Sequence, residues 1–448
     1  MFVHQEHTLS NGLRIITIPL KSTKSITALA LVKAGSRYET EEEQGLAHLI
    51  EHLVFKGTKK YANQLEMAQA LDRVGAESNA FTSKEYTGFY VTAVAEQLEL
   101  SLEVLNQLLF QPLLRSADME DEKKVIAQEI SLLKDDPQNY ISLVFDEFIY
   151  RKFELAHPIS GKIEKVSALS LPQVKRFMQN WYRLNNMVLV LAGDESVLNR
   201  SQPFDILKAK FGQNSFQEPL QPQTRDFSQG ETWSEKKFKL VFRDTAQAHF
   251  VLGWPTFKRA HPDRYALSLL ATILGGNRSS RLFEEIREKR HLAYYVWSDI
   301  TQYAEAGLFG AEGALDPEKA KEGLEAVKEQ FELVATGQQP ITAEELNMAK
   351  TYTKGKVLLG LEDSYSVARY YAFKQILMNM IEDPDAALAK YEAVSLEQIN
   401  NLAKKLIKSG EMRMALIGPF KDEASFRSIV DADNTPLHAA GNNFNINI

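Results

Sequence analysis

The chain has 448 residues, no cysteine and a formal net charge of −7. The length calls for two domains or a multiple of them. The missing cysteines exclude disulfides and thiolate-held metals, and the acidic balance argues against a nucleic-acid binder, which normally carries a basic stripe. With 44% hydrophobic and 25% charged residues, the composition is that of a soluble globular protein. Residues 1–10 lack the basic region and apolar core of a signal peptide, and no apolar run approaches the ~20 residues that span a bilayer. A cytoplasmic, reducing location is the expectation.

The pattern opens with a hairpin: a strand to about Leu9, Asn11-Gly12 as the turn, then a strand from Leu13 to Pro19. A strand over Ile26–Val32 follows. Helical spacing runs from Gln44 to about Phe55 and from Gln64 to about Val74, where Gly75 ends it. Ser78–Ser83 is a short extended segment and Thr87–Ala93 a strand. Two long helices fill 95–135, and Met187–Ala192 reads as a buried strand that closes the half.

The polar stretch around 216–234, with Gln, Ser, Pro219, Pro222 and Gly230, is the linker candidate. It separates an N-terminal domain (1–215) from a C-terminal one (235–430). The second half repeats the layout: strands at 237–243 and 248–253, helices at 262–274 and 280–290, and strands at 294–300 and 307–313. Superposing Gly57 on Gly275 aligns the two halves and sets His48, Glu51 and His52 against Ala266, Leu269 and Leu270. The fold class is therefore α+β, two similar domains from a duplication, each a mostly antiparallel sheet packed with helices. Residues 431–448 form an Asn-rich polar tail. The Gly275-Gly276-Asn277-Arg278-Ser279-Ser280 stretch lacks the Gly-Lys-Ser/Thr of a phosphate loop and a dinucleotide-binding spacing.

His48-Leu49-Ile50-Glu51-His52 is the chemically informative motif. A helix turns about 100° per residue, so His48 and His52 stand one turn apart on one face with Glu51 about 60° to the side. Neutral imidazoles at that spacing suit zinc, and a neighbouring carboxylate can take a proton from an activated water. Chance alone yields His-x-x-Glu-His on the order of once in a hundred such chains. Its helix is apolar, where an unpartnered His or Glu is costly to bury. Two imidazoles need a third ligand. Glu129 is the best candidate, with Glu122 two turns earlier on the same predicted helix to hold a histidine or tune the site. A helical glutamate alone is more often a solvated one.

These residues resemble the pitrilysin or insulinase-type zinc peptidases, the inverzincins, over residues 6 to about 420. In that family a ligand Glu follows His-x-x-Glu-His at a characteristic distance along the chain, and the gap from His52 to Glu129 has that length. A second family glutamate, two helical turns before the ligand, matches Glu122. The segment Ser78-Asn79-Ala80-Phe81-Thr82-Ser83 matches the edge strand that pairs with bound peptide, which implies that Asn79, Ala80, Phe81 and Thr82 contact substrate backbone. Residues 279–294 look like the C-terminal signature, in which Arg287 and Tyr294 would grip substrate and steady the oxyanion. His291 stands where relatives often have Gly. Without the resemblance, Arg287 reads as a solvated helix residue and Tyr294 as core.

The resemblance implies a zinc-dependent endopeptidase acting on peptides or unfolded segments inside a chamber formed by a dimer. Its metal ligands would be His48, His52 and Glu129. Glu51 would serve as general base and then acid, Glu122 as a supporting group, and Tyr294 as oxyanion donor. Half-length relatives pair, so Arg287 and Tyr294 of one chain would serve its partner's metal site, in a homodimer by preference or a heterodimer. The alternative is a non-catalytic partner subunit or peptide-binding scaffold.

Overall fold

The computed structural model describes residues 2–150, 154–212, 233–408 and 410–431. Most of the linker candidate, 216–232, and the tail from 432 lie outside the described residues. The chain divides into two compact units.

Unit 1 comprises Met1–Trp233, Tyr303–Glu305 and Lys350–Ala393. Its sheet has six strands: β1 (Gln5–Thr8), β2 (Arg14–Leu20), β3 (Ser25–Val32), β4 (Glu77–Thr82), β5 (Thr87–Val94) and β6 (Met187–Asp194). Their order is β1-β2-β6-β3-β5-β4. Only β2 and β6 pair in parallel; the other pairs are antiparallel. Gly12 makes the first turn at φ +85°, which its missing side chain permits.

The apolar runs of β3 and β6 have a simple cause, because both faces of this sheet are covered. Alternate residues Ala28, Ala30, Leu189 and Leu191 join one core, while Leu29, Leu31, Val188 and Val190 join another. Helices α1 (Leu46–Leu53), α2 (Gln64–Asp72), α3 (Leu98–Phe110) and α4 (Ser116–Asp135) all contribute buried side chains to the first core. The second is closed by the helix Ser364–Met378, through Val367, Ala368, Tyr371, Ala372 and Ile376. The expected C-terminal domain, 235–430, is thus interrupted: Lys350–Ala393 packs with unit 1.

Unit 2 comprises Ser234–Gln302, Ala306–Ala349 and Val394–Ile448. Its strands are β7 (Phe238–Phe242), β8 (Ala248–Thr256), β9 (Ala293–Gln302), β10 (Gly307–Leu315) and β11 (Arg413–Gly418), in the order β7-β11-β8-β10-β9. β7 and β11 run parallel, and the remaining pairs are antiparallel. This repeats the order of β2, β6, β3, β5 and β4 with the parallel pair in the same place, as a duplication requires. The offset between the halves is not constant. β3 begins at Ser25 and β8 at Ala248, β4 at Glu77 and β9 at Ala293, and β6 at Met187 and β11 at Arg413. The spacing between counterparts therefore narrows at the second pair and widens again at the third, as small insertions in the connections require. Ala266, Leu269 and Leu270 are fully buried on the helix Arg264–Gly275, so this helix is apolar where α1 carries His and Glu. Within the stretch expected as a helix at 280–290, Phe283–Lys289 forms a π-helical segment, and His291 follows at φ +51°, a conformation that favours glycine.

Because the Ser364–Met378 helix seals one face of unit 1, Ile376→Ala should cost about 2–5 kcal/mol of local stability and speed amide hydrogen exchange in β3 and β6. Unchanged exchange in both strands would mean that the helix does not seal this core.

Candidate metal centre

Helix α1 presents the motif, and both of its ends are held. Gly45 enters the helix in the left-handed region, φ +88°. The buried Glu39 carboxylate accepts the backbone N–H groups of Gly45 at 2.9 Å and Ala47 at 2.8 Å, satisfying donors that a helix start leaves open. Burial pushes the Glu39 carboxyl well above the usual range, against the pull of those N–H groups. At the other end a short 3-10 turn over Val54–Lys56 carries the chain to Gly57.

Among the described residues, one group of His and acidic side chains places three donor atoms within 4.8 Å of one another: His48, His52 and Glu129. Glu129 Oε2 lies 3.8 Å from His48 Nε2 and 3.7 Å from His52 Nε2. The two imidazole centroids are 4.7 Å apart at an interplanar angle of 74°. Four ligands at about 2.0–2.1 Å around tetrahedral zinc stand roughly 3.3 Å from one another. The glutamate oxygen therefore needs to approach the two imidazoles by only a few tenths of an ångström.

The surroundings suit such an ion. Glu122, two turns before Glu129 on α4, lies 2.8 Å from His52 Nδ1. With a carboxylate on Nδ1–H, the lone pair of His52 is left on Nε2, facing Glu129. Glu122 is nearly buried, and its second oxygen meets Lys56 Nζ at 2.6 Å. Burial, reinforced by nearby His52, lowers the His48 pKa to about 4, so the ring is neutral, the form that binds a metal. His48 Nδ1 is buried and has no hydrogen-bond partner among the described residues.

Glu51 stands beside these donors. Burial raises its carboxyl pKa; the Thr82 hydroxyl and His52 pull it back, while Glu129 adds to the rise. Thr82 Oγ1 donates to Glu51 Oε2 at 2.5 Å. An elevated carboxyl pKa is what a proton shuttle near neutral pH needs.

The expected peptide-contacting segment is β4, at the edge of the sheet. Its side chains divide between the two faces. Thr82 points to Glu51, whereas Phe81 packs on the opposite face against Tyr86 and Phe373. Gly88, opposite Phe81, makes room for it, since a Cβ there would come within 2.3 Å of the ring. Asn79 is exposed and Ala80 half-buried; Asn79 Oδ1 accepts the N–H of Ala80 at 2.8 Å. A cleft of about 660 Å³ opens beside Glu51 and His52, between α2 and β4, and reaches Ser78, Asn79 and Tyr90. Phe55, Met67 and Leu71 give it apolar walls.

His48, Glu51, His52, Glu122, Glu129 and Thr82 are thus brought together in unit 1. Arg287 and Tyr294 lie in unit 2. There the Arg287 guanidinium sits 4.7 Å from the Phe283 ring centroid, and Tyr294, at the start of β9, is 52% exposed rather than core. Sequence reasoning missed Glu39 and Lys56. An acid shortly before the glycine that opens α1 is the signal for the first. The second shares a helical face with His52 only because the chain stays coiled beyond α1.

Residues 14–162 match the family model for insulinase, peptidase family M16, and residues 168–352 match the model for the peptidase M16 inactive domain. An uncharacterized zinc protease of Streptomyces coelicolor is 32% identical over 94% of this chain and 90% of its own length. One from Bacillus subtilis is 29% identical over 93% and 98%. The fold matches the crystal structure of a protease from Helicobacter pylori, with a TM-score of 0.86, 24% identity and coverage of 94% of this chain and all of that one. The chain belongs to the M16 peptidase family.

If Glu122 fixes the His52 ring, Glu122→Gln should lower zinc affinity about 10- to 100-fold, read by competition with a chelator. An affinity within twofold of the parent would remove that role.

Proposed function

We propose that the chain is a zinc-dependent endopeptidase that cuts peptides or unfolded segments laid along β4. The observation that carries this reading is the convergence of His48, His52 and Glu129 donors with Glu51 alongside. His48, His52 and Glu129 would hold the zinc ion, which when bound would supply Lewis-acid chemistry toward a peptide carbonyl and water. Glu51 takes the proton of the attacking water at its carboxylate and returns it to the leaving nitrogen. Thr82 orients Glu51 through their hydrogen bond. Glu122 holds the His52 ring and its tautomer. The edge of β4 reads peptide backbone by strand addition, which accepts many sequences.

The reading extends to Tyr294 as donor to the developing oxyanion and Arg287 as a grip on substrate carbonyls. Both belong to unit 2, and Tyr294 is open to a ligand. The proposed assembly is a homodimer in which these two residues serve the partner's metal centre.

Glu51→Gln should keep zinc and lose turnover of an unfolded peptide by about 10²–10⁴-fold; retained turnover would contradict the role of Glu51. Metal without cleavage in the parent chain would instead leave a peptide-binding scaffold. Mixing Glu51→Gln with Tyr294→Phe chains should restore activity. Persistent inactivity after verified subunit exchange would contradict the shared site.

A further inference from the structure

The helix Ser364–Met378 carries a second face beside its buried one. Tyr365, Arg369 and Phe373 follow one another at four-residue steps and so line one side of the helix. The Tyr365 ring centroid lies 4.3 Å from that of Tyr90 on β5. The Phe373 ring lies 4.9 Å from Tyr86 and 6.4 Å from Phe81 on β4. These rings form an aromatic shelf next to the open strand edge, on the face away from α1. The exposed Arg369 rests on it, its guanidinium carbon 5.1 Å from the Phe373 centroid.

Arg115, Arg281, Arg290 and Arg427 each pair with a carboxylate. No carboxylate among the described residues pairs with Arg369. A guanidinium on an aromatic face keeps its orientation and still has its N–H groups to offer an anion. We propose that Arg369, held on Phe373 beside the edge of β4, selects an acidic side chain in a peptide strand added to that edge. The inference rests on the reading of β4 as the peptide-binding edge.

The geometry sets which positions respond. Along β4, Thr82 faces α1 and Phe81 faces the shelf. An added strand repeats that alternation, so every second residue lies on the side of Arg369. A side chain opposite Phe81 stands about 5 Å from it, Cβ to Cβ. Within the reach of Arg369 from there, an aspartate or glutamate is attracted and a lysine repelled.

The test is a positional scan. A neutral host peptide carries a single Asp or a single Lys moved along its length, and dissociation constants are measured in the Glu51→Gln background, so that the peptide stays intact. The expected parent behaviour is a preference for Asp over Lys of about tenfold at the positions nearest Arg369 on its side of the strand, and none at the alternate positions between them. Arg369→Gln should flatten the preference and Arg369→Glu invert it. The same preference in all three proteins, or no two-residue periodicity in the parent, overturns the inference. Cleavage of the same peptides is read in parallel with Glu51 restored. Selection without cleavage keeps the inference and removes the peptidase reading; cleavage without selection does the reverse. No binding of any peptide overturns both.

Discussion

The site depends on one nearly buried carboxylate. Glu122 reaches from α4 to α1, takes the Nδ1–H of His52 on one oxygen and Lys56 on the other. A carboxylate with so little solvent must be partnered, and the partners it finds are on the helix that carries the motif and the turn that extends it. That link turns the Nε2 lone pair of His52 toward Glu129, two turns further along α4. Without it, two helices would lie side by side with no reason for three donor atoms to meet.

The other supports of α1 act on the same helix from different elements. Glu39 closes its first turn through the backbone N–H groups of Gly45 and Ala47, which fixes where His48 and Glu51 begin. Thr82 reaches Glu51 from the edge strand. The proposed proton carrier is thereby tied to the proposed peptide-binding strand, so that substrate and base would share one register. The opposite face of that strand is not idle, since Phe81 locks into the aromatic shelf that carries Arg369.

The motif helix and most strands were legible in the sequence, because each rests on local periodicity; Glu122 and Glu129 were candidates on a predicted helix that the family resemblance singled out. The duplication was legible as an order of elements. The strand topology now gives it physical form, with β7 and β11 repeating the parallel pairing of β2 and β6. The packing of Ser364–Met378 on unit 1 was not legible. Its tyrosines and alanines carry no label for which sheet they cover, and contacts between Val367 or Ile376 and strands far earlier in the chain leave no local trace. Lys56 and Arg369 were missed for a similar reason. Each is an ordinary surface cation by pattern, and its place is set by tertiary partners.

The central claim is that His48, His52 and Glu129 converge on one zinc ion. X-ray absorption at the zinc edge on the stoichiometrically loaded chain tests it most directly. The account predicts one zinc per chain, with two imidazole nitrogens and carboxylate and water oxygens at about 2.0–2.2 Å, and loss of the imidazole signal in a His48→Ala, His52→Ala double variant. A chain that takes up no zinc, or a zinc whose shell keeps its imidazoles in that variant, would contradict it.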